Sequence, residues 1–291
     1  MTAPFLGSAS EVTRQRLRTS RYKRVTRDVY VLVDRELDVR ARADAARLVF
    51  PDGVPCLVTA GLLLNLPVDD DARTHLARGA TAARSERREI KIHRLALRDD
   101  EVLEVKGIPV TDGPRTLTDL AAQLDLQALV AVGDVVVRRW GPEAVAEAVD
   151  RCRRRRGAVL LRQAATLLDG GSDSPAETRM RLRLHAAGFT ALRHKVVVRD
   201  LAGGWLAAPD LADEEAKVAL QHEGAIHFER GERQRRKDID RDEVTRSEGW
   251  QVVVSTALDD AQPHRLVRRV TSAYFRAAKL WGVHVLPPHL R

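Results

Sequence analysis

The stretch that decides the fold runs Pro209-Asp210-Leu211-Ala212-Asp213-Glu214-Glu215-Ala216-Lys217-Val218-Ala219-Leu220-Gln221-His222-Glu223-Gly224. An acidic residue at its start is followed by an apolar segment, Ala216–Gln221, whose composition reads as a short strand. Asp210 is expected to end one strand and residues 221 and 223 to lie on the next, so that all three converge at one end of a sheet. Residues two apart on a strand share a face, which puts Gln221 and Glu223 on the same side. Carboxylates grouped in this way suit a hard divalent cation such as Mg²⁺ or Mn²⁺, which takes oxygen ligands and activates water for hydrolysis.

The flanking segments add to this pattern. Upstream, Ser174-Pro175-Ala176-Glu177 has an N-cap residue, Pro in the first turn and Glu three positions after the cap. A helix is expected from there to about Ala187, closed by Gly188, with Glu177 placed to reach the acidic end of the sheet. Lys195–Val198, the Gly203-Gly204 turn and Trp205–Asp210 read as a hairpin. Downstream, His227 is either a group that orients or deprotonates water or a hydrogen-bonded strand-end histidine. Residues 232–248 read as a helix stopped by Gly249, and Gln251–Ser255 as a last strand. Arg230, Arg233, Arg236 and Lys237 fall on one helix face and are candidates for contact with a phosphate backbone. The Val267–Leu280 helix reads as packing.

The first half has a different texture. Residues 12–27 carry many Arg and Lys and no acid before Val29–Val33, a short strand. That segment is either a DNA-contacting wing or a solvated basic surface. A helix over 35–50, a small helix opening near Thr59, strands within 88–111 and helices from Pro114, Val130 and Pro142 follow. Arg151-Cys152-Arg153-Arg154-Arg155-Arg156-Gly157 is the most basic heptad, either a solvated face or a stretch that holds a phosphate backbone. Asp169-Gly170-Gly171-Ser172-Asp173-Ser174 is polar and Gly-rich, which makes it the expected boundary between a domain at 1–168 and one at 172–291. The fold class is therefore mixed α/β (α+β), with a small mixed sheet flanked by helices in the second domain.

Bulk properties bound the function. The chain has 291 residues, 31% of them charged, with 49 Lys+Arg against 41 Asp+Glu and a net charge of +8. This balance favours a polyanionic partner such as DNA without specifying a fold. Cys56 and Cys152, lacking any Cys-x-x-Cys spacing, exclude a cysteine zinc cluster and argue against a disulfide framework. Neither a secretory signal pattern nor a membrane-length apolar run occurs, so a cytoplasmic protein with no membrane partner is expected.

Residues 172–256 resemble a widespread actinobacterial domain of unknown function related to the very-short-patch-repair endonucleases of the PD-(D/E)XK superfamily. The matching residues are Ser174-Pro175-Ala176-Glu177, Asp210-Leu211-Ala212, Val218–Gly224, His227, Asp238, Arg241 and Gly249-Trp250-Gln251-Val252. The resemblance implies a restriction-endonuclease-like fold and a metal site formed by Glu177, Asp210 and Glu223, with position 221 contributing. Where that family has Glu-x-Asp-Gly, this chain has Gln221-His222-Glu223-Gly224. A Gln offers a neutral carbonyl oxygen in place of a charged carboxylate, at a cost of order a few kcal/mol in raw attraction to a dication.

In the first half, Phe5-Leu6-Gly7-Ser8, Arg24–Val31, Thr59-Ala60-Gly61-Leu62 and the residues Val110, Thr111, Pro114, Arg115, Thr116, Asp119 and Leu120 are similar to AbiEi-type antitoxin-like proteins. Those join a DNA-binding winged helix to a middle domain, and here the winged-helix part is shortened. Two functions stay open: a metal-dependent DNA endonuclease or nickase, and a catalytically degenerate nuclease fold acting as a DNA-binding, antitoxin-like regulator with a toxin encoded nearby.

Overall fold

The computed structural model describes residues 3–200, 203–223 and 245–291, with Glu223 and Ala257 described by backbone alone. The chain divides into two units, Met1–Leu168 and Asp169–Arg291. No helix among the described residues is long and apolar enough to cross a membrane.

The first unit opens with β1 (Phe5–Leu6), α1 (Arg14–Leu17), β2 (Tyr22–Thr26) and β3 (Val29–Leu32), and its strands pair in the order β1-β3-β2. Val29 and Val31 point inward from β3, while the basic residues of β2 stay partly exposed. Next come α2 (Val39–Val49), β4 (Val54–Pro55), α3 (Leu57–Leu63), β5 (Thr74–Arg78) and β6 (Ile90–Arg94). Asp38 caps α2 by accepting from the Ala41 N–H at 2.7 Å, and the helix buries an alanine face of Ala41, Ala45 and Ala46. The hairpin β7 (Val102–Val105) and β8 (Ile108–Thr111) turns at Lys106-Gly107. Four helices complete the unit: α4 (Gly113–Leu120), α5 (Leu126–Trp140), α6 (Pro142–Cys152) and α7 (Ala158–Ala165).

Within this helical part lies a buried ion network. Arg115 donates from Nη1 to Glu101 at 2.7 Å and from Nε to Asp119 at 2.9 Å, with all three side chains nearly inaccessible. Arg151 and Arg155 approach the same carboxylates, at 3.6 Å to Glu101 and 3.6 Å to Asp119. Two arginines of the basic heptad are thus turned toward internal acids, and Arg153 pairs with Asp150 at 2.8 Å. Arg154 and Arg156 remain exposed. Asp134 is 1% exposed on α5.

The second unit begins with α8 (Pro175–Ala186), followed by the short hairpin β9 (Val198–Arg199) and β10 (Trp205–Ala207). The main sheet consists of β11 (Leu211–Asp213), β12 (Val218–Glu223) and β13 (Gln251–Thr256), in that order, with β11 antiparallel and β13 parallel to β12. Two further helices follow, α9 (Ala257–Ala261) and α10 (Pro263–Trp281). Alternation along the strands sorts the side chains. Leu211, Val218, Leu220 and Val253 join Met180, Leu184, Leu266, Val270 and Tyr274 in one core, while Ala212 and Ala219 pack with Val198, Ala207 and Trp250 on the other face. Asp213 lies inside the first core because the Tyr274 hydroxyl donates to its carboxylate at 2.8 Å and the Ala216 N–H donates at 3.1 Å.

Candidate functional site

Ser174 and Glu177 close the start of α8 as the sequence pattern predicts. The Ser174 hydroxyl oxygen accepts from the Glu177 N–H at 3.2 Å, and the Glu177 carboxylate accepts from the Ser174 hydroxyl at 2.8 Å. That carboxylate also accepts from the Asp173 N–H at 2.7 Å, one residue before the cap. Glu177 is therefore fixed by the cap in one orientation rather than being a free arm.

Asp210 occupies a different place from the one its context suggests. It does not end a strand; it immediately precedes β11, a three-residue strand hidden among the acids Asp213, Glu214 and Glu215. The convergence with position 221 survives, because an antiparallel partner brings the start of β11 to the end of β12. Leu211 pairs with Leu220, so Asp210 falls opposite Gln221, and cross-strand partners share a face. Asp210 bridges the two strands through its side chain, which accepts from the His222 N–H at 2.5 Å. His222 itself turns to the other face, where its Nδ1 lies 3.4 Å from Ser255 Oγ.

Burial pushes Asp210 up to about 6. The negative charges of Glu177 and Asp173 add to the rise, opposed by the His222 N–H bond and by His194. The start of β11 and the end of β12 thus form a half-buried place where Asp210 feels the negative charges of Glu177 and Asp173, with Gln221 at the facing register position.

His194 was not among the residues expected here. Its Nδ1 lies 2.6 Å from the Asp210 carbonyl oxygen and its Nε2 lies 3.0 Å from Ser172 Oγ. A carbonyl only accepts, so Nδ1 carries the proton, and in the neutral ring Nε2 accepts from the Ser172 hydroxyl. His194 therefore ties the Asp210 backbone to the joint that precedes α8. Gly171 makes this possible: a Cβ there would sit 2.5 Å from His194 Cβ. The Gly-Gly pair signals a close backbone approach in the sequence, but nothing in Arg193-His194-Lys195 indicates that a histidine is what approaches.

Of the expected metal set, Asp210 and Glu177 are brought together. The side chain of Glu223, and His227, Arg230, Arg233, Arg236 and Lys237, lie outside the described residues. The backbone of Glu223 continues β12, paired with Thr256. Among the described residues, no group of three or more His, Cys, Asp or Glu side chains is arranged to hold a metal ion. The three-carboxylate site expected from the sequence thus reduces, within those residues, to two carboxylates and an amide. A Mg²⁺ ion is commonly held by one or two carboxylates together with water and substrate phosphates, and the Asp210–Glu177 pair has that donor chemistry.

The two cysteines are buried and unpaired by any disulfide. In the first unit, buried His75 lies 2.8 Å from Asp71 through Nε2 and 2.9 Å from His93 through Nδ1. Burial, with His75 and Lys91 adding to it, lowers His93 to about 4, which keeps it neutral at pH 7. No protein-family model and no curated protein sequence matches this chain.

Proposed function

We propose that the second unit is a metal-dependent DNA endonuclease or nickase of the PD-(D/E)XK type. The observation that carries this reading is the placement of Asp210 directly across from position 221, beside Glu177, with its carboxyl held above the ordinary range first by burial and then by the Glu177 charge. A half-buried carboxylate held above its ordinary range by burial and a second carboxylate gains from a cation more than an exposed acid does. Asp210 and Glu177 would hold Mg²⁺ or Mn²⁺, which would polarise the phosphoryl oxygen and lower the pKa of the attacking water. The chain's own residues supply order: His194 and His222 fix Asp210 from two sides, and the Ser174 cap fixes Glu177. The mixed α/β topology, with an antiparallel and a parallel neighbour flanking β12, agrees with this assignment.

A second reading has its own support. Gln221 is neutral, and Glu177 already receives two hydrogen bonds at the helix cap, which is what a fold keeping its packing and losing its chemistry retains. Such a protein binds DNA as a regulator without cutting it.

One set of measurements separates the two. With Mn²⁺ or Mg²⁺, the wild-type chain is expected to nick supercoiled plasmid. Asp210→Ala should lower the rate by at least about 100-fold, since losing even an outer-shell partner costs 10- to 100-fold. Gln221→Glu should raise it by adding a further carboxylate. If the wild type leaves DNA intact in both metals while Asp210→Ala still binds it, the regulator reading replaces the nuclease.

A further inference from the structure

The helix α10 buries one face and presents another with opposite character. Leu266, Val270, Ala273, Tyr274 and Ala277 enter the core. On the other side, Arg265, Arg268, Arg269, Ser272 and Arg276 recur at spacings of three, one, three and four, which aligns them along one face. With Arg246 and Val252–Val254 they line a groove of about 700 Å³ that has no acidic residue in its lining among the described residues. Its floor is the outer edge of β13, the end strand of its sheet.

Two of these arginines are already used to shape the groove. Arg269 donates to the Val254 carbonyl at 2.8 Å and pairs with Asp259 at 2.5 Å, while Arg276 donates to Gln251 at 2.9 Å. Among the described residues, no acid lies within ion-pair distance of Arg265 or Arg268, and Arg268 is exposed. Arg265 and Arg268, without a carboxylate partner among the described residues, are placed to meet an anion, and the planar fork fits phosphate oxygens.

We infer that this groove is a binding site for a nucleic-acid phosphodiester backbone, running along β13. From Arg265 to Arg276 the helix rises about 16 Å, the length of roughly five nucleotides at 3.4 Å each. The bonds from Arg269 to Val254 and from Arg276 to Gln251 show that α10 runs opposite to β13, so Arg265 lies toward the C-terminal end of that strand. That is the end at which Gln221 pairs with Val254 and Asp210 falls opposite Gln221. Asp210 lies two strand spacings across the sheet from β13, about 10 Å. This assignment rests on the nucleic-acid reading above but not on cleavage.

The test is binding of fluorescent DNA and RNA oligonucleotides of one sequence, single- and double-stranded, to the full chain in EDTA across a salt series. Arg265→Ala/Arg268→Ala is expected to weaken binding at least tenfold near 100 mM salt. It should also reduce the slope of log K against log salt by about 1.8 on duplex, or about 1.4 on a single strand, the share of two phosphate contacts. The charge-matched control is Arg154→Ala/Arg156→Ala, on the exposed part of the first unit's basic run, with thermal melting to show that both variants fold. Loss confined to DNA assigns the groove to DNA, and loss confined to RNA assigns it to RNA; either supports the inference. An unchanged slope in Arg265→Ala/Arg268→Ala, an equal loss in the control, or no binding by the wild type overturns it. Because this assay holds no metal, a chain that binds here yet leaves plasmid intact in Mg²⁺ and in Mn²⁺ sinks the nuclease and leaves the groove standing.

Discussion

The two units each bury a polar cluster, and the clusters are built on opposite principles. In the first unit, Arg115 stands between Glu101 and Asp119, with Arg151 and Arg155 closing the charge balance from outside. In the second, Asp210 and Glu177 meet at one sheet end, and among the described residues the groups that moderate them are backbone N–H donors, a hydroxyl and His194. Compensated charge fixes a fold, because opposite charges held side by side offset one another. Uncompensated charge weakens the fold and is retained where a ligand of opposite sign supplies the missing term. The difference shows how a buried ion network and a candidate reaction site can be told apart when both are rich in Asp, Glu and Arg.

The sharpest way to break this comparison is to remove Arg115. Arg115→Ala leaves two buried carboxylates facing each other and should cost about 3–5 kcal/mol, read as a fall in the urea midpoint of the first unit. A loss below about 1 kcal/mol would mean that Arg151 and Arg155 swing in to replace it, and the network would no longer count as the unit's fixed core.

The reverse effect is expected at Asp210. The folded state holds this acid near 6, above its ordinary value of 3.8, so the folded chain binds more protons than the unfolded chain between those values. Its carboxylate is therefore destabilising at pH 7, and Asp210→Asn should stabilise the metal-free protein by about 1–2 kcal/mol, allowing for solvent at its exposed side. Mn²⁺ should raise the melting temperature of the wild type and not of the variant. A variant that is less stable than the wild type in EDTA would place Asp210 among the structural acids.

Much of this contrast was legible in the sequence, for local reasons. A helix cap is written in adjacent residues, so Ser174, Pro175 and Glu177 could be read directly, and period-two alternation put Leu220 in the core. What could not be read depends on partners distant in the chain. Arg115 and Asp119 are visible as an i, i+4 pair, but Glu101 is fourteen residues away, and Arg151 looks like part of a solvated run. Asp213 looks like a surface acid until Tyr274, sixty-one residues later, supplies its hydroxyl. Hydropathy assigns such acids to solvent, which is why β11 was overlooked and Asp210 was set at the wrong end of a strand. His194 is concealed for the same reason, since its role is given by a backbone carbonyl sixteen residues away. The α10 arginines follow a helical period in plain view. Their meaning comes from the edge of β13 beside them, which no periodicity announces.

The smallest expected effect sharpens the comparison within one sample. Burial holds His93 of the first unit near 4, below its ordinary 6.5, so the folded state there binds fewer protons than the unfolded state between those values. Its contribution to stability is complete above 6.5 and is lost as the pH falls toward 4. Asp210 has the opposite sign, and the second unit recovers stability as the pH falls through 6 toward 3.8. Lowering the pH from 7 to 5 should therefore loosen one unit and tighten the other, each by about 1 kcal/mol after solvent screening. Native-state hydrogen exchange on the whole chain can resolve this, because the amides of β5 and β12 report the two units separately. Falling protection at Leu76 with rising protection at Leu220 is the expected pattern, and Asp210→Asn should abolish only the rise. Parallel changes in both strands would show that the two clusters do not act on their own units, and the contrast between compensated and uncompensated charge would fail at its thermodynamic root.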